Sequence, residues 1–85
     1  MEASSVDRRL AALLYEEASD HSRRSGSSLI FELALTHQQM AARIGSVREV
    51  VSRALSRLQQ SGLIQVEGRR ITIPDENALR DYTAK

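Results

Sequence analysis

Four polar side chains with the hydrogen-bonding groups needed to read base pairs lie on or beside one side of a predicted helix: Arg48, Glu49, Ser52 and Arg53. An arginine can donate two hydrogen bonds to guanine O6 and N7, and a glutamate can accept one from cytosine N4. Each such pair is worth roughly 1–3 kcal/mol of discrimination between bases. The same face could also be ordinary solvated surface, so its surroundings in the sequence decide between the two interpretations.

The helix that carries these side chains is the second of two predicted helices in residues 36–62. Gly45 can adopt the positive φ that ends the first helix, and the small Ala41 lets the second helix cross close to it. Each helix has one apolar stripe at helical spacing: Met40 and Ile44 in the first, and Val51, Ala54, Leu55 and Leu58 in the second. Two such helices joined by a tight turn form a helix-turn-helix.

The first helix of this pair begins with a recognisable cap. Thr36 is followed three residues later by Gln39, which is the spacing of a capping box. A helix that starts this way presents backbone N–H groups and the positive end of its dipole, both of which favour a phosphate. The candidates to contact a nucleic-acid backbone are therefore Thr36, His37, Gln38 and Gln39, although Thr36 is expected as a cap in any case.

The remaining segments supply a scaffold around the two helices. We expect a first helix over about residues 5–18, a polar loop over 19–28 and a strand over about 29–35. A hairpin, or wing, is predicted over about 63–74, and a short C-terminal helix over about 75–82. The predicted fold class is α+β and mainly α, with a helix-turn-helix and a small antiparallel β-sheet. Its 85 residues form one domain.

Composition narrows the function classes. The chain has no cysteine and no apolar run long enough for a membrane span. Because its first residues are acidic and polar, we expect no secretory signal. His21 and His37 lie sixteen residues apart without an evident carboxylate partner, so we predict no metal site. We also predict that the chain is not an enzyme, since it offers no nucleophile–base arrangement and no glycine-rich phosphate loop. These features fit a cytoplasmic protein.

The distribution of charge favours a nucleic-acid partner more than the net charge of +1 does. Residues 37–73 carry six Arg against two Glu, whereas residues 1–36 carry four Arg against six acidic side chains. The positive charge therefore coincides with the helix-turn-helix and the wing. Only three aromatic residues are present, and they form no stacking platform, which disfavours RNA or single-stranded DNA.

The stretch LALTHQQMAARIGSVREVVSRALSRLQQSGLI, followed by EGRRITIPD and preceded by DRRLAALL, resembles the C-terminal DNA-binding domain of Crp/Fnr-type bacterial transcription regulators. The resemblance implies a winged helix-turn-helix fold with a three-helix core, in which the second helix of the motif enters the major groove of double-stranded DNA. It implies base contacts by Arg48, Glu49, Ser52 and Arg53, and backbone contacts by Thr36, Gln38, Ser46, Arg57, Arg69 and Arg70. Glu49 could instead only orient Arg48 or Arg53, and Val50 could meet a thymine methyl group or simply pack.

The chain departs from this family at two points. Many members place Ser or Thr directly before the arginine of the second helix, where this chain has Val47, so we expect Ser46 to provide the cap. Family regulators also carry an N-terminal effector-binding domain and a dimerisation helix, which these 85 residues do not include. We therefore expect the chain to be monomeric and without a cofactor, and the full-length parent to be a homodimer with an effector of unknown identity. Contact with RNA polymerase is possible in that parent.

One alternative function stays open at this point. Winged helices also serve as protein–protein interaction modules that do not bind DNA, and a fold does not by itself fix function. Such a module should expose an apolar patch on the second helix of the motif. The sequence instead places arginine and serine there. Sequence-specific binding of double-stranded DNA is therefore the predicted function.

Overall fold

A computed structural model describes residues 5–21, 23–26 and 28–84. Those residues form four helices, α1 (Ser5–His21), α2 (His37–Ile44), α3 (Arg48–Gln60) and α4 (Glu76–Thr83), and four strands, β1 (Arg23–Ser25), β2 (Ser28–Glu32), β3 (Gln65–Glu67) and β4 (Arg70–Ile73). The predicted mainly helical, winged helix-turn-helix fold is confirmed.

Helix α1 is the centre of the packing. It contacts α2, α3, α4 and β2. Leu10, Leu14 and Ala18 on its inner side are fully buried, because residues spaced about one helical turn apart share one face. The helix runs three residues beyond the predicted end near residue 18, so it occupies the start of the segment that we expected to be a polar loop.

The strands form one antiparallel sheet in the order β1-β2-β4-β3. The sequence did not predict β1, because its residues are polar and show no apolar alternation. It is an edge strand whose backbone pairs with β2, with Arg23 opposite Ile30, next to a left-handed Gly26 (φ 64°). The prediction of a loop over 19–28 was therefore wrong.

Strand β2 ends at Glu32, three residues before the predicted end. The next residue, Leu33, leaves the strand pairing, and its N–H donates a hydrogen bond of 2.7 Å to the carbonyl of Arg69. Its side chain is nevertheless buried with the core. The leucines of this stretch thus point inward for packing, and alternation alone overestimated the length of the strand.

The predicted wing is present, with β3 and β4 pairing from Gln65–Thr72 to Glu67–Arg70. Gly68, the first residue of the two-residue turn, has a φ of 60°, which suits the type II′ turn that glycine favours at this position. Ile71 and Ile73 are buried against the helices. Such a short hairpin is stable only with this support.

One continuous core joins the helices to the inner face of the sheet. Its largest fully buried side chains are Leu10, Leu14, Met40, Val51, Leu58, Ile64, Ile71, Ile73 and Leu79. No helix in the described ranges has the length and apolar character needed to cross a membrane.

Candidate nucleic-acid interface

The N-terminus of α2 has the predicted capping box. Thr36 has extended backbone angles (φ −78°, ψ 165°), and its hydroxyl oxygen accepts a hydrogen bond of 3.0 Å from the N–H of Gln39. The side-chain oxygen of Gln39 accepts one of 2.8 Å from the N–H of Thr36. This reciprocal pair fixes the first turn of α2, and Gln38 lies exposed within that turn.

The N-terminus of α3 differs from the prediction. Its N-cap is Val47 (φ −121°, ψ 158°), whose side chain has no hydrogen-bonding group, so the expectation that Ser46 caps the helix was wrong. The N–H of Ser46 donates to the carbonyl of Ala41 at 2.8 Å, directly after the left-handed Gly45 (φ 70°). Ser46 thus belongs to the end of α2, Val47 is the N-cap of α3, and the first residue of α3 is Arg48.

The two sides of α3 separate as predicted. Val51, Ala54, Leu55 and Leu58 are buried. On the other side Arg48, Glu49 and Arg53 are exposed, and Ser52 is half-buried. Val50 is also half-buried, which leaves both of its predicted roles open.

Two predicted base-contact residues and two predicted backbone-contact residues come together where α2 and α3 adjoin. The others do not line this place: Glu49, Arg53, Ser46, Arg57, Arg69 and Arg70. Thr36, His37, Gln38, Arg48 and Ser52 line an open depression of about 390 Å³. Within it, Nδ1 of His37 lies 2.9 Å from the hydroxyl oxygen of Ser52, at hydrogen-bonding distance. The sequence reasoning missed this contact, because no local pattern connects two residues fifteen positions apart on different helices.

Arg57 has a structural partner that the sequence reasoning also missed. Its Nε and Nη2 donate hydrogen bonds of 2.8 and 2.7 Å to the two carboxylate oxygens of Asp7. Donation of these hydrogen bonds to the Asp7 carboxylate raises the pKa of Arg57. Asp7 is only 5% exposed. Its spacing of three and four residues from the buried Leu10 and Ala11 was the available signal that it faces inward.

Tyr82 lies close to this ion pair at the C-terminal helix. Burial raises the pKa of Tyr82, the charge of Asp7 raises it further, and Arg8 and Arg57 lower it. The Asp7–Arg57 pair thus ties α1 to α3 beside α4. This geometry supports a structural role for Arg57 and leaves only its remaining N–H groups for the predicted phosphate contact.

The two predicted wing contacts differ in their surroundings. Arg69 is exposed within the β3–β4 turn. Arg70 begins β4, where it lies opposite Glu32 of β2 and Glu67 of β3. Arg70 therefore has a glutamate opposite it on each neighbouring strand, and opposite charges at such positions attract each other. Arg69 lies beyond the last paired residues of β3 and β4 and has no residue opposite it there. Among the described residues, no group of three or more His, Cys, Asp or Glu side chains could hold a metal ion.

Comparison with known proteins gives consistent results. Residues 8–82 match the family model of the Crp-like helix-turn-helix domain. The chain is 36% identical over 78 residues to the anaerobic regulatory protein of Haemophilus influenzae, covering 92% of this chain and 30% of that protein. It is 35% identical over 74 residues to the fumarate and nitrate reduction regulatory protein of Escherichia coli K12, covering 87% and 30% respectively. The chain thus spans less than a third of the length of these relatives.

Two solved structures have similar folds. Oxidized CprK in complex with o-chlorophenolacetic acid matches with a TM-score of 0.82 at 20% identity, covering 94% of this chain and 34% of that one. The CO-dependent transcription factor CooA from Carboxydothermus hydrogenoformans, in its imidazole-bound form, matches with a TM-score of 0.78 at 25% identity, covering 93% and 37%.

Proposed function

The chain belongs to the family of Crp-like helix-turn-helix domains, and on this premise we propose that it binds double-stranded DNA sequence-specifically as the output domain of a bacterial transcription regulator. The family was correctly identified from the sequence, and the regulatory names of its relatives agree with the prediction that the chain is not an enzyme. In this proposal α3 enters the major groove, and its exposed side contacts base edges.

The observation that carries the proposal is the junction between α2 and α3. Exposed Arg48 and half-buried Ser52 of α3 share one depression with Thr36 and Gln38, at the capped N-terminus of α2. A helix N-terminus suits a phosphate, and the adjacent side chains of α3 suit base edges. A surface suited to a phosphate and a surface suited to base edges therefore adjoin, which supports the proposal that α3 lies in the groove.

The exposed surface of α3 argues against the alternative function, a protein-docking module. The one large hydrophobic residue that is exposed among the described residues is Val47, at 61%. A single exposed side chain at the start of α3 is not an apolar patch. Arg48, Glu49 and Arg53 instead make the outer side of that helix charged. The proposed base contacts are Arg48, Glu49, Ser52 and Arg53. The proposed backbone contacts are Thr36, Gln38, Ser46, Arg69 and Arg70, with Arg57 contributing its remaining N–H groups.

The wider part of the proposal concerns the protein to which such a domain belongs. We expect a cytoplasmic bacterial regulator that forms a homodimer, recognises two half-sites about one DNA turn apart and contacts RNA polymerase. Its effector would bind outside these 85 residues, which hold no cofactor in this proposal. The isolated chain should be a monomer that binds one half-site weakly, because the second set of contacts is absent.

Selection of preferred sites from a random duplex library, using the 85-residue chain, tests the proposal. Arg53→Ala should weaken binding to the selected site by about 1–3 kcal/mol more than binding to random DNA. Arg80→Ala, which removes an exposed arginine of α4, is the matched control and should leave this difference unchanged. Failure to enrich any sequence, or equal losses for Arg53→Ala on both DNAs, would contradict base readout by α3.

A further inference from the structure

The contact between His37 and Ser52 lies at the centre of the proposed interface. His37 is the first residue of α2 and is exposed, whereas Ser52 is half-buried on the second turn of α3. Their 2.9 Å contact joins the two helices within the depression that Arg48 also lines. Ser52 therefore does not present a freely rotating hydroxyl group to a ligand.

The chemistry of the two groups gives this contact a consequence for DNA. A serine hydroxyl has one hydrogen to donate and two lone pairs, and each imidazole nitrogen either donates or accepts according to the tautomer. If Nδ1 accepts the serine hydrogen, only the lone pairs of Ser52 remain for an amino group of adenine or cytosine. If Nδ1–H donates, the serine hydrogen remains for an acceptor such as guanine O6 or thymine O4. The state of His37 thus selects which base edges Ser52 can satisfy.

We infer that His37 is a positioning residue for base readout: it fixes the rotamer and the donor–acceptor sense of Ser52, and so sets the base preference of a side chain other than its own. This inference rests on the proposed function, since it concerns the same DNA-binding surface. It also separates His37 from its neighbours Thr36 and Gln38, whose proposed contacts are with phosphates and carry no sequence information.

Five variants of the 85-residue chain test this role: Ser52→Ala, His37→Ala, the double variant that combines these two changes, His37→Asn and His37→Gln. Each is measured by fluorescence anisotropy, at one salt concentration, on the duplex selected by the wild type and on all its single-base-pair substitutions. Asparagine places an amide atom near the position of Nδ1, whereas the same amide in glutamine lies one carbon further out. Because His37 is exposed, these changes should leave the fold intact, which thermal unfolding checks.

Ser52→Ala should reduce the ratio of affinities for the preferred and the substituted base at one base pair by roughly three- to tenfold, which corresponds to the loss of one net hydrogen bond. His37→Ala should reduce the discrimination at the same base pair by a comparable factor. The double variant should show no further loss of discrimination. His37→Asn should retain most of the preference, and His37→Gln should lose it. This pattern, with other base pairs unaffected, is the expected result.

Other outcomes overturn the inference in distinguishable ways. A uniform loss of affinity on every duplex for His37→Ala would make His37 a phosphate contact. Losses from His37→Ala and Ser52→Ala that multiply in the double variant would show that the two side chains act independently. Unchanged discrimination in Ser52→Ala would show that Ser52 does not contribute to base preference, so that His37 has no base-contacting side chain to position. If the wild type selects no sequence at all, the proposed function fails, and this inference fails with it.

Discussion

Replacing Val47 by threonine should stabilise the protein, although the same change at a buried valine usually destabilises it. Val47 already has the extended backbone that an N-cap residue needs (φ −121°, ψ 158°), but its side chain leaves the first N–H groups of α3 without a side-chain acceptor. Threonine has the same shape and adds one hydroxyl oxygen. By analogy with Thr36, which accepts from the N–H three residues on at 3.0 Å, that oxygen should accept from the N–H of Val50.

The expected gain follows from the difference between a capped and an uncapped start. A Ser or Thr N-cap is worth about 1 kcal/mol relative to a residue without an acceptor. Little opposes this gain, because Val47 is 61% exposed and the new hydroxyl group remains in water. For a domain of this size, 1 kcal/mol corresponds to a rise of about 4–8 °C in the midpoint of thermal unfolding.

Thermal unfolding followed by circular dichroism measures this rise, and urea denaturation gives the free energy independently. Thr36→Val is the matched control, since it removes the equivalent oxygen from α2 with the same change of shape and should lower the midpoint by a similar amount. A lower or unchanged midpoint for Val47→Thr, together with the expected loss for Thr36→Val, would refute the assignment of Val47 as an uncapped N-cap.

Three further predictions concern the wing, the Asp7–Arg57 ion pair and the C-terminal helix. Arg69→Ala should weaken binding to all DNA sequences equally and reduce the slope of log K against log salt by about one unit, measured by salt titration. Asp7→Ala should lower the unfolding midpoint more than Glu16→Ala, which breaks an exposed ion pair (3.6 Å to Arg43) worth about 0–1 kcal/mol. Because burial raises the pKa of Tyr82, the folded state retains the tyrosine proton longer than the unfolded chain does. The resulting stabilisation is complete below the ordinary tyrosine pKa of about 10 and is lost as pH rises through the folded-state value, so urea denaturation should show an alkaline loss of stability that Tyr82→Phe diminishes.

The sequence predicted those parts of the fold that local patterns determine. The stripes of α2 and α3, the capping box at Thr36 and the left-handed Gly45 are set by residues within a few positions of each other. Strand β1 was not predictable in this way, since its polar residues are held by backbone pairing along the edge of β2. The start of α3 was misplaced because the hydrogen bond from Ser46 to Ala41, which ends α2, depends on backbone geometry.

The candidate site was predictable in its residue types but not in its internal contacts. Helical periodicity places Arg48, Glu49 and Arg53 outward, and the structure agrees. The pairing of His37 with Ser52 depends on how α2 crosses α3. The pairing of Asp7 with Arg57 joins residues fifty positions apart. Contacts of this kind follow from tertiary packing, and a single sequence gives at most an indirect sign of them.

The two-point attachment between Asp7 and Arg57 has a mechanical consequence. A planar guanidinium group that donates to both oxygens of one carboxylate is restricted both in translation and in rotation relative to that carboxylate. We therefore expect α1 and α3 to move together as one rigid unit. A force applied to α1 would then tilt α3 as well, because the two helices would not shift relative to each other. Since the proposed DNA-reading side chains are on α3, a small reorientation of α1 would change their angle to the duplex.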